Sequence, residues 1–301
     1  MFPPMVVISV TNVCNLKCVH CYYKDFAKLA SYKPVFMDLK LYKKIIDEIS
    51  LYPGVILNFS TDGEPLLHKD FILMLEYARK KNINPISVTT NGVVLYPDLS
   101  EKIVKSRLLD IINISIDAFT REGYAKVRGK CFEKVIENTR SLIKINKDHG
   151  NPVKIMVNII DQDEVHDEVG PFKKYWQTRV DKVIIRHYYC CHGLVERSKE
   201  HFKEITRWPC FQLWNRFNVT QEGKARYCVD DWFDKSSIGD LRRQTIAKIW
   251  QSKQYSGLRE LMVKNRYREI PYCDKCTEWQ GMEWNYNYIT AVKAVLGKRT
   301  L

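Results

Sequence analysis

An α/β fold around a parallel sheet, followed by a smaller second unit, is predicted by three observations. Short apolar or β-branched runs alternate with longer segments of helical period over residues 1 to 190, the pattern of repeated βα units. The intervening segments carry apolar stripes at helical spacing. From about Trp208 the rhythm changes to a hairpin, helical segments and a closing cysteine pair.

Six runs qualify as strands: Met5 to Val10, Val55 to Ser60, Pro85 to Thr90, Ile111 to Ile116, Val153 to Ile159 and Lys182 to Arg186. Between them Leu39, Tyr42, Ile45, Ile46 and Ile49 form one helical stripe, and Phe71, Met74, Leu75 and Ala78 another. Such stripes are core. After Trp208 a hairpin is expected from Leu213 to Val219 and Lys224 to Cys228, turning at Gln221-Glu222-Gly223, because Gly supplies the turn conformation. The organisation expected is a core over 1–205, a second domain over 206–280 and a helical tail over 281–301 that packs over the barrel.

The 301 residues with 45% hydrophobic content suffice for a real core. Residues Met1 to Val10 contain Pro3 and Pro4 and lack a basic leader, so a cytoplasmic protein with no membrane partner is expected. Ten cysteines without secretory features point to metal or redox duty, not to a disulfide framework. The net charge of +13 raises the question of nucleic acid. Lys and Arg are spread along the chain and no nucleic-acid-binding signature appears, so attraction of an anionic small molecule accounts for the charge equally well.

The most chemically specific stretch is Cys14-Asn15-Leu16-Lys17-Cys18-Val19-His20-Cys21. Three thiolates spaced CxxxCxxC in one loop can hold three irons of an iron-sulfur cluster and leave the fourth open. An open metal position is where chemistry takes place. Zinc takes the same residue types, and His20 lies inside the motif.

The segment Ser9 to Tyr22 resembles the cluster loop of radical S-adenosylmethionine enzymes. That resemblance implies a partial (β/α)6 barrel similar to a TIM barrel, with Cys14, Cys18 and Cys21 holding a 4Fe-4S cluster. It further implies S-adenosyl-L-methionine chelating the open iron, a 5'-deoxyadenosyl radical that abstracts hydrogen, and a flavodoxin- or ferredoxin-type reductant. Chemistry in such barrels sits at the carboxyl ends of the strands. There Ser60-Thr61-Asp62-Gly63-Glu64-Pro65 resembles the GGEP motif, with Asp62 in place of the first glycine and Glu64 suited to an ammonium. Thr89-Thr90-Asn91-Gly92 resembles the TNG segment, although Asn-Gly is also simply a good turn. Ser115, Asp117 and Arg128 resemble ribose- and carboxylate-contacting positions, and Asp117 equally suits a cap. Cofactor contacts are thus expected from His20, Tyr22, Asp62, Gly63, Glu64, Thr90, Asn91, Ser115, Asp117 and Arg128.

The sixth run ends Arg186-His187-Tyr188-Tyr189-Cys190-Cys191. Arg186 and His187 are candidate substrate contacts. Cys190 and Cys191 are candidate hydrogen donors, which an epimerase needs, or else small buried hydrophobes. In the second unit Cys210, Cys228, Cys273 and Cys276 stand 18, 45 and 3 residues apart. They close a four-ligand set, which a zinc ribbon or a cluster could use. Beside the core, Pro209-Cys210, Gly223, Cys228, Ile238-Gly239-Asp240, Ile249-Trp250 and the closing pair resemble the shortened SPASM, or Twitch, domain with one auxiliary 4Fe-4S cluster. Two clusters bring the formal charge to about +10.

This layout is similar to that of butirosin-type aminocyclitol dehydrogenases and related sugar or cyclitol oxidoreductases. The resemblance implies oxidation of an alcohol on a polar small molecule with the electron passing toward the auxiliary cluster. The alternatives are a peptide maturase, an epimerase using a cysteine, or a zinc or electron-carrier protein. No interface between copies can be argued from the stripes.

Overall fold

The computed structural model describes residues 1–188, 191, 194–195, 207–274, 276–281 and 287–297. The expected boundary at 205/206 lies outside them. In chain order the core runs β1 (Met5–Ile8), α1 (Tyr23–Phe26), α2 (Leu39–Ile49), β2 (Ile56–Phe59), α3 (Phe71–Lys80), β3 (Ile86–Thr90) and α4 (Pro97–Lys105). It continues with β4 (Ile111–Ser115), α5 (Arg121–Val127), α6 (Phe132–Asp148), β5 (Lys154–Asp161), α7 (Val169–Trp176) and β6 (Lys182–His187). Then follow α8 (Gln212–Asn215), β7 (Phe217–Val219), β8 (Lys224–Arg226), β9 (Ser237–Asp240), α9 (Ile246–Trp250), α10 (Lys253–Val263) and α11 (Tyr288–Leu296).

All six expected strands form, and their parallel pairing in the order β6-β5-β4-β3-β2-β1 makes the partial barrel. Among the described residues one sheet continues across β1 into β7, which pairs parallel to it, and then through antiparallel β8 and β9. The first hairpin strand is shorter than expected: Gln212–Asn215 is a helical turn and the strand begins at Phe217. That turn is fixed from outside, since Arg259 Nε donates to the Leu213 carbonyl at 2.8 Å. Alternating hydrophobicity over Leu213 to Val219 did not reveal that long-range bond.

Side-chain alternation sorts the strands into two faces. Val6, Ile8, Leu57, Phe59, Val88, Ile112, Ile114 and Val157 pack under the helices. Met5, Val7, Ile56, Ile111, Met156 and Ile184 face the other way and meet Ile289, Ala291 and Val292 of α11. The tail helix therefore plugs the lumen instead of lying over the barrel, and Trp284 and Tyr286 lie outside the described residues. Toward the strand ends this inner face turns polar. Asn58 donates to Ser87 Oγ at 2.8 Å, Ser60 to Asn58 Oδ1 at 2.6 Å, and Ser115 to Asn158 Oδ1 at 3.1 Å. Apolar floor and polar mouth set the direction from which a polar ligand enters.

The C-terminal segment is held to the barrel by directed bonds. Glu48 of α2 accepts from the N–H groups of Ile246 and Ala247 at 2.8 and 2.9 Å, satisfying the exposed amide end of α9. Lys44 donates to the Leu241 carbonyl at 2.5 Å. No described helix is long and apolar enough to cross a membrane.

Candidate functional site

The strand-end loops converge on the cysteine loop that follows β1. Gly63 lies so close to it that a Cβ would come within 2.5 Å of the Val13 carbonyl and 2.6 Å of that of Thr11. Only glycine permits this approach. The Glu64 N–H then donates to the Val13 carbonyl at 2.8 Å. The Glu64 side chain, 2% exposed, accepts from Thr90 Oγ1 at 2.7 Å, from the Asn91 N–H at 2.7 Å and from the Leu66 N–H at 3.1 Å. Three of roughly four acceptor positions of a carboxylate are thus used, which leaves room for one further donor. Asn91 donates to Asn15 Oδ1 at 2.7 Å and approaches Cys14 Sγ at 3.8 Å, so the Asn91-Gly92 turn, with Gly92 at φ +75°, is tied directly to the cysteine loop.

On the other side the Val19 N–H donates to the Val127 carbonyl at 3.0 Å. Next to it Arg128, 8% exposed, meets fully buried Asp117 through Nε at 2.8 Å and through Nη2. Asp117 has φ +59°; instead of capping a helix, its Oδ1 accepts from Asn158 and from the Ile160 N–H at 3.1 and 3.0 Å. Thr120 caps α5. Burial would raise the Asp117 carboxyl, but Arg128 holds it below its usual range. His20 Nε2 lies 3.5 Å from Asp117, and its Nδ1 lies 3.3 Å from Gln162 Nε2. Burial outweighs the Asp117 charge and lowers the His20 pKa to about 4, so the ring is neutral. Tyr22 stands apart from this set, in a ring cluster with Trp232 and Phe233.

The donor set on the cysteine loop, three buried or half-buried thiols, fits an iron-sulfur cluster. Burial pushes Cys14 up to about 11 and Cys21 to about 12, and raises Cys18 as well. Such donors become thiolates only beside a strong cationic group. In the C-terminal segment Cys273 and Cys276 both feel the charge of Cys210, and Cys228 feels both of theirs. Arg207 Nη1 donates to the Cys273 carbonyl at 2.6 Å, and Tyr227 Oη to the Pro271 carbonyl at 2.8 Å. These bonds fold the closing pair toward the hairpin.

A cavity of about 340 Å³ opens at the strand ends, a size suited to a small ligand. Asn58, Ser60 and Thr89 line its barrel side, Arg186 and His187 its rim, and Gln212, Arg216 and Asp230 its far side. Arg186 and His187 are therefore brought to it. Cys191 is buried, its thiol raised by burial and by Asp230 and Cys21; Cys190 lies outside the described residues. Four side chains escaped sequence reasoning: Gln162, Arg216, Asp230 and Arg226. Arg226 grips Asp62 through Nη2 at 2.8 and 2.6 Å. The carboxylate standing where the motif has glycine was the signal that a buried cation should face it.

The model of the radical SAM superfamily matches residues 8–180, and that of an iron-sulfur cluster-binding domain, SPASM, residues 210–277. A probable GTP 3',8-cyclase of Methanosarcina mazei is 33% identical over 55% of this chain and 50% of its own length. A probable GTP 3',8-cyclase of Sulfurisphaera tokodaii is 23% identical over 78% of this chain and 84% of its own. Apart from the latter, the chain spans about half the length of the curated relatives it matches. Among solved structures, BtrN in complex with AdoMet and 2-DOIA superposes with TM-score 0.62 at 18% identity, covering 92% of this chain and 94% of that one. Streptococcus suis SuiB bound to its precursor peptide SuiA gives 0.72 at 14%, covering 97% and 73%. Such identities carry the fold alone. Matched over more than half its length and bearing the three-cysteine loop at the mouth of a partial barrel, the chain belongs to the radical S-adenosylmethionine superfamily, whose cofactors are S-adenosylmethionine and iron-sulfur clusters.

Proposed function

We propose that this protein is an oxidoreductase that removes hydrogen from an alcohol carbon of a polar small molecule, a sugar, cyclitol or similar compound, with the electron passing toward an auxiliary 4Fe-4S cluster. In this reading Cys14, Cys18 and Cys21 hold the first cluster, and Cys210, Cys228, Cys273 and Cys276 hold the second. Glu64, Thr90, Asn91 and Arg128, with Ser115, Asp117 and His20, shape the cofactor pocket. Together the cluster and S-adenosylmethionine supply a one-electron hydrogen abstraction when bound.

The carrying observation is the position of the cavity. Its lining runs from the strand ends beside the cysteine loop to Phe211 and Val229, which adjoin Cys210 and Cys228 in sequence. This supports a substrate held near the cysteines of the hairpin. Asn58, Ser60, Thr89 and Tyr288 offer hydroxyl partners, whereas α11 fills the lumen below and limits substrate length. Loss of one hydrogen atom, one proton and one electron from the alcohol gives a carbonyl, and no nicotinamide is required.

The test uses anaerobically reconstituted protein with about eight irons per chain, S-adenosylmethionine and a flavodoxin- or ferredoxin-type reductant. Sugars, cyclitols, GTP and peptides are offered in parallel. Formation of 5'-deoxyadenosine together with a carbonyl product from a hydroxylated small molecule is expected. A cyclised product from GTP, the reaction named for the curated relatives, or a modified peptide would overturn the reading.

A further inference from the structure

We infer that the substrate of this cavity carries an acidic group, a carboxylate or a phosphate, and that Arg186 is the residue that holds it. The inference rests on the reading of the cavity as the substrate site.

Arg186 stands at the end of β6, half-buried, and lines the cavity. Among the described residues its guanidinium makes no hydrogen bond and no ion pair. Other buried or half-buried guanidiniums are provided for: Arg128 by Asp117, Arg226 by Asp62, Arg79 by Asp110. Arginine keeps its charge at ordinary pH, and an unpaired guanidinium lining a cavity is open to an anionic partner. Although its charge reaches Asp117 and His20, Asp117 is occupied by Arg128, Asn158 and the Ile160 N–H, and His20 is neutral. The planar donor fork of Arg186 matches a carboxylate or phosphate.

Arg216 lines the same cavity, and both guanidiniums lower the Tyr288 hydroxyl against the rise that burial causes there. The lining also contains one carboxylate, Asp230. Its charge acts on Cys228, Cys210 and Cys191, and that of Arg216 also reaches Cys210. The acidic end of a ligand thus lies toward Arg186 and its hydroxylated body toward Asn58, Ser60 and Thr89. An ammonium-bearing cyclitol would instead meet two like charges.

Binding of glucose, glucuronate and glucose 6-phosphate to the reconstituted, S-adenosylmethionine-loaded protein, measured by isothermal titration calorimetry, tests this. The three share a ring and differ in the acidic group. At least one anion should bind tenfold or more tightly than glucose, and which one does tells carboxylate from phosphate. Arg186→Gln should erase that preference and Arg186→Lys retain part of it, with cluster absorbance reporting that each variant is folded. Equal binding of glucose, no binding of either anion, or an unchanged preference in Arg186→Gln overturns the inference. Product analysis of the same samples separates the two readings. An anion bound tightly but never oxidised sinks the dehydrogenase reading alone; a neutral polyol oxidised without anion preference sinks this one alone.

Discussion

Replacing Asp62 by Gly, the residue its motif resemblance would place there, removes one half of a buried ion pair between the cofactor loop and the auxiliary hairpin. Asp62 is 8% exposed and Arg226 3%. The carboxylate receives Nη2 through both oxygens, at 2.8 and 2.6 Å. Arg226 Nη1 also donates to the Asp231 carbonyl, with the Asp234 carboxylate 4.0 Å away. Burial alone would lower the Arg226 pKa, but the Asp62 charge and bond outweigh it and raise it. Without Asp62 the guanidinium stays charged and buried beside one weak carboxylate contact. Breaking such a pair from one side costs about 3–5 kcal/mol. Arg226→Met alone should cost a comparable amount, and the double variant clearly less than the sum, with a coupling of about 2–3 kcal/mol. Denaturant unfolding of the four reconstituted proteins measures the cycle. Because Gly63 and Glu64 follow Asp62, and Cys228 lies two residues beyond Arg226, calorimetric S-adenosylmethionine affinity and the auxiliary-cluster potential should shift in the single variants. Additive effects, or a loss below about 1 kcal/mol in Asp62→Gly, would refute the coupling.

Three further outcomes follow from the same site. Glu64→Gln keeps one acceptor oxygen for two sides now served by a carboxylate, so its amide must face the Asn91 N–H or the Thr90 hydroxyl and Leu66 N–H. A loss of about 1–3 kcal/mol in unfolding free energy is expected, and an unchanged midpoint would remove Glu64 as the clamp between the loops. His20 is neutral in the fold, with its pKa lowered from 6.5 to about 4 by burial, so its contribution is present above pH 6.5 and lost as pH falls toward 4. Relative to His20→Gln, the parent should lose on the order of 3 kcal/mol over that window; parallel pH profiles would show that the ring is not held neutral. Cys191→Ala should leave carbonyl formation intact, since oxidation needs no returning hydrogen atom, and loss of product with normal 5'-deoxyadenosine formation would favour epimerisation through that thiol.

The barrel strands were legible because each is a short apolar run bounded by turn residues, and the polar residue after each run marked the mouth. The cysteine loop stood out by its spacing, which zinc could also have used, and the flanking Ser9 to Tyr22 sequence pointed to a cluster. Tertiary partners were not. Asp62 looked like a departure from a motif until Arg226, 164 residues later, supplied its counter-charge. Likewise the helical turn at Gln212–Asn215 depends on a bond from Arg259. Local pattern fixes which face of an element is buried, and long-range polar pairing decides where an element begins and which charges are already spent.

The strand order gives these pairings a common mechanical origin. β1 leads directly into the cysteine loop; it pairs on one side with β2, which delivers Asp62 and Glu64, and on the other with β7, whose hairpin delivers Arg226 and Cys228. The Ser9 N–H donates across that second seam to the Val219 carbonyl at 2.8 Å. Neighbouring strands sit about 4.8 Å apart and resist register slips, because a one-residue shift would turn every side chain to the wrong face. The spacing between the two thiol sets is therefore set by backbone pairing within one sheet. A variant that loosens the β1–β7 seam should alter both sites together, read as S-adenosylmethionine affinity and cluster absorbance, whereas one in α10 or α11 should not.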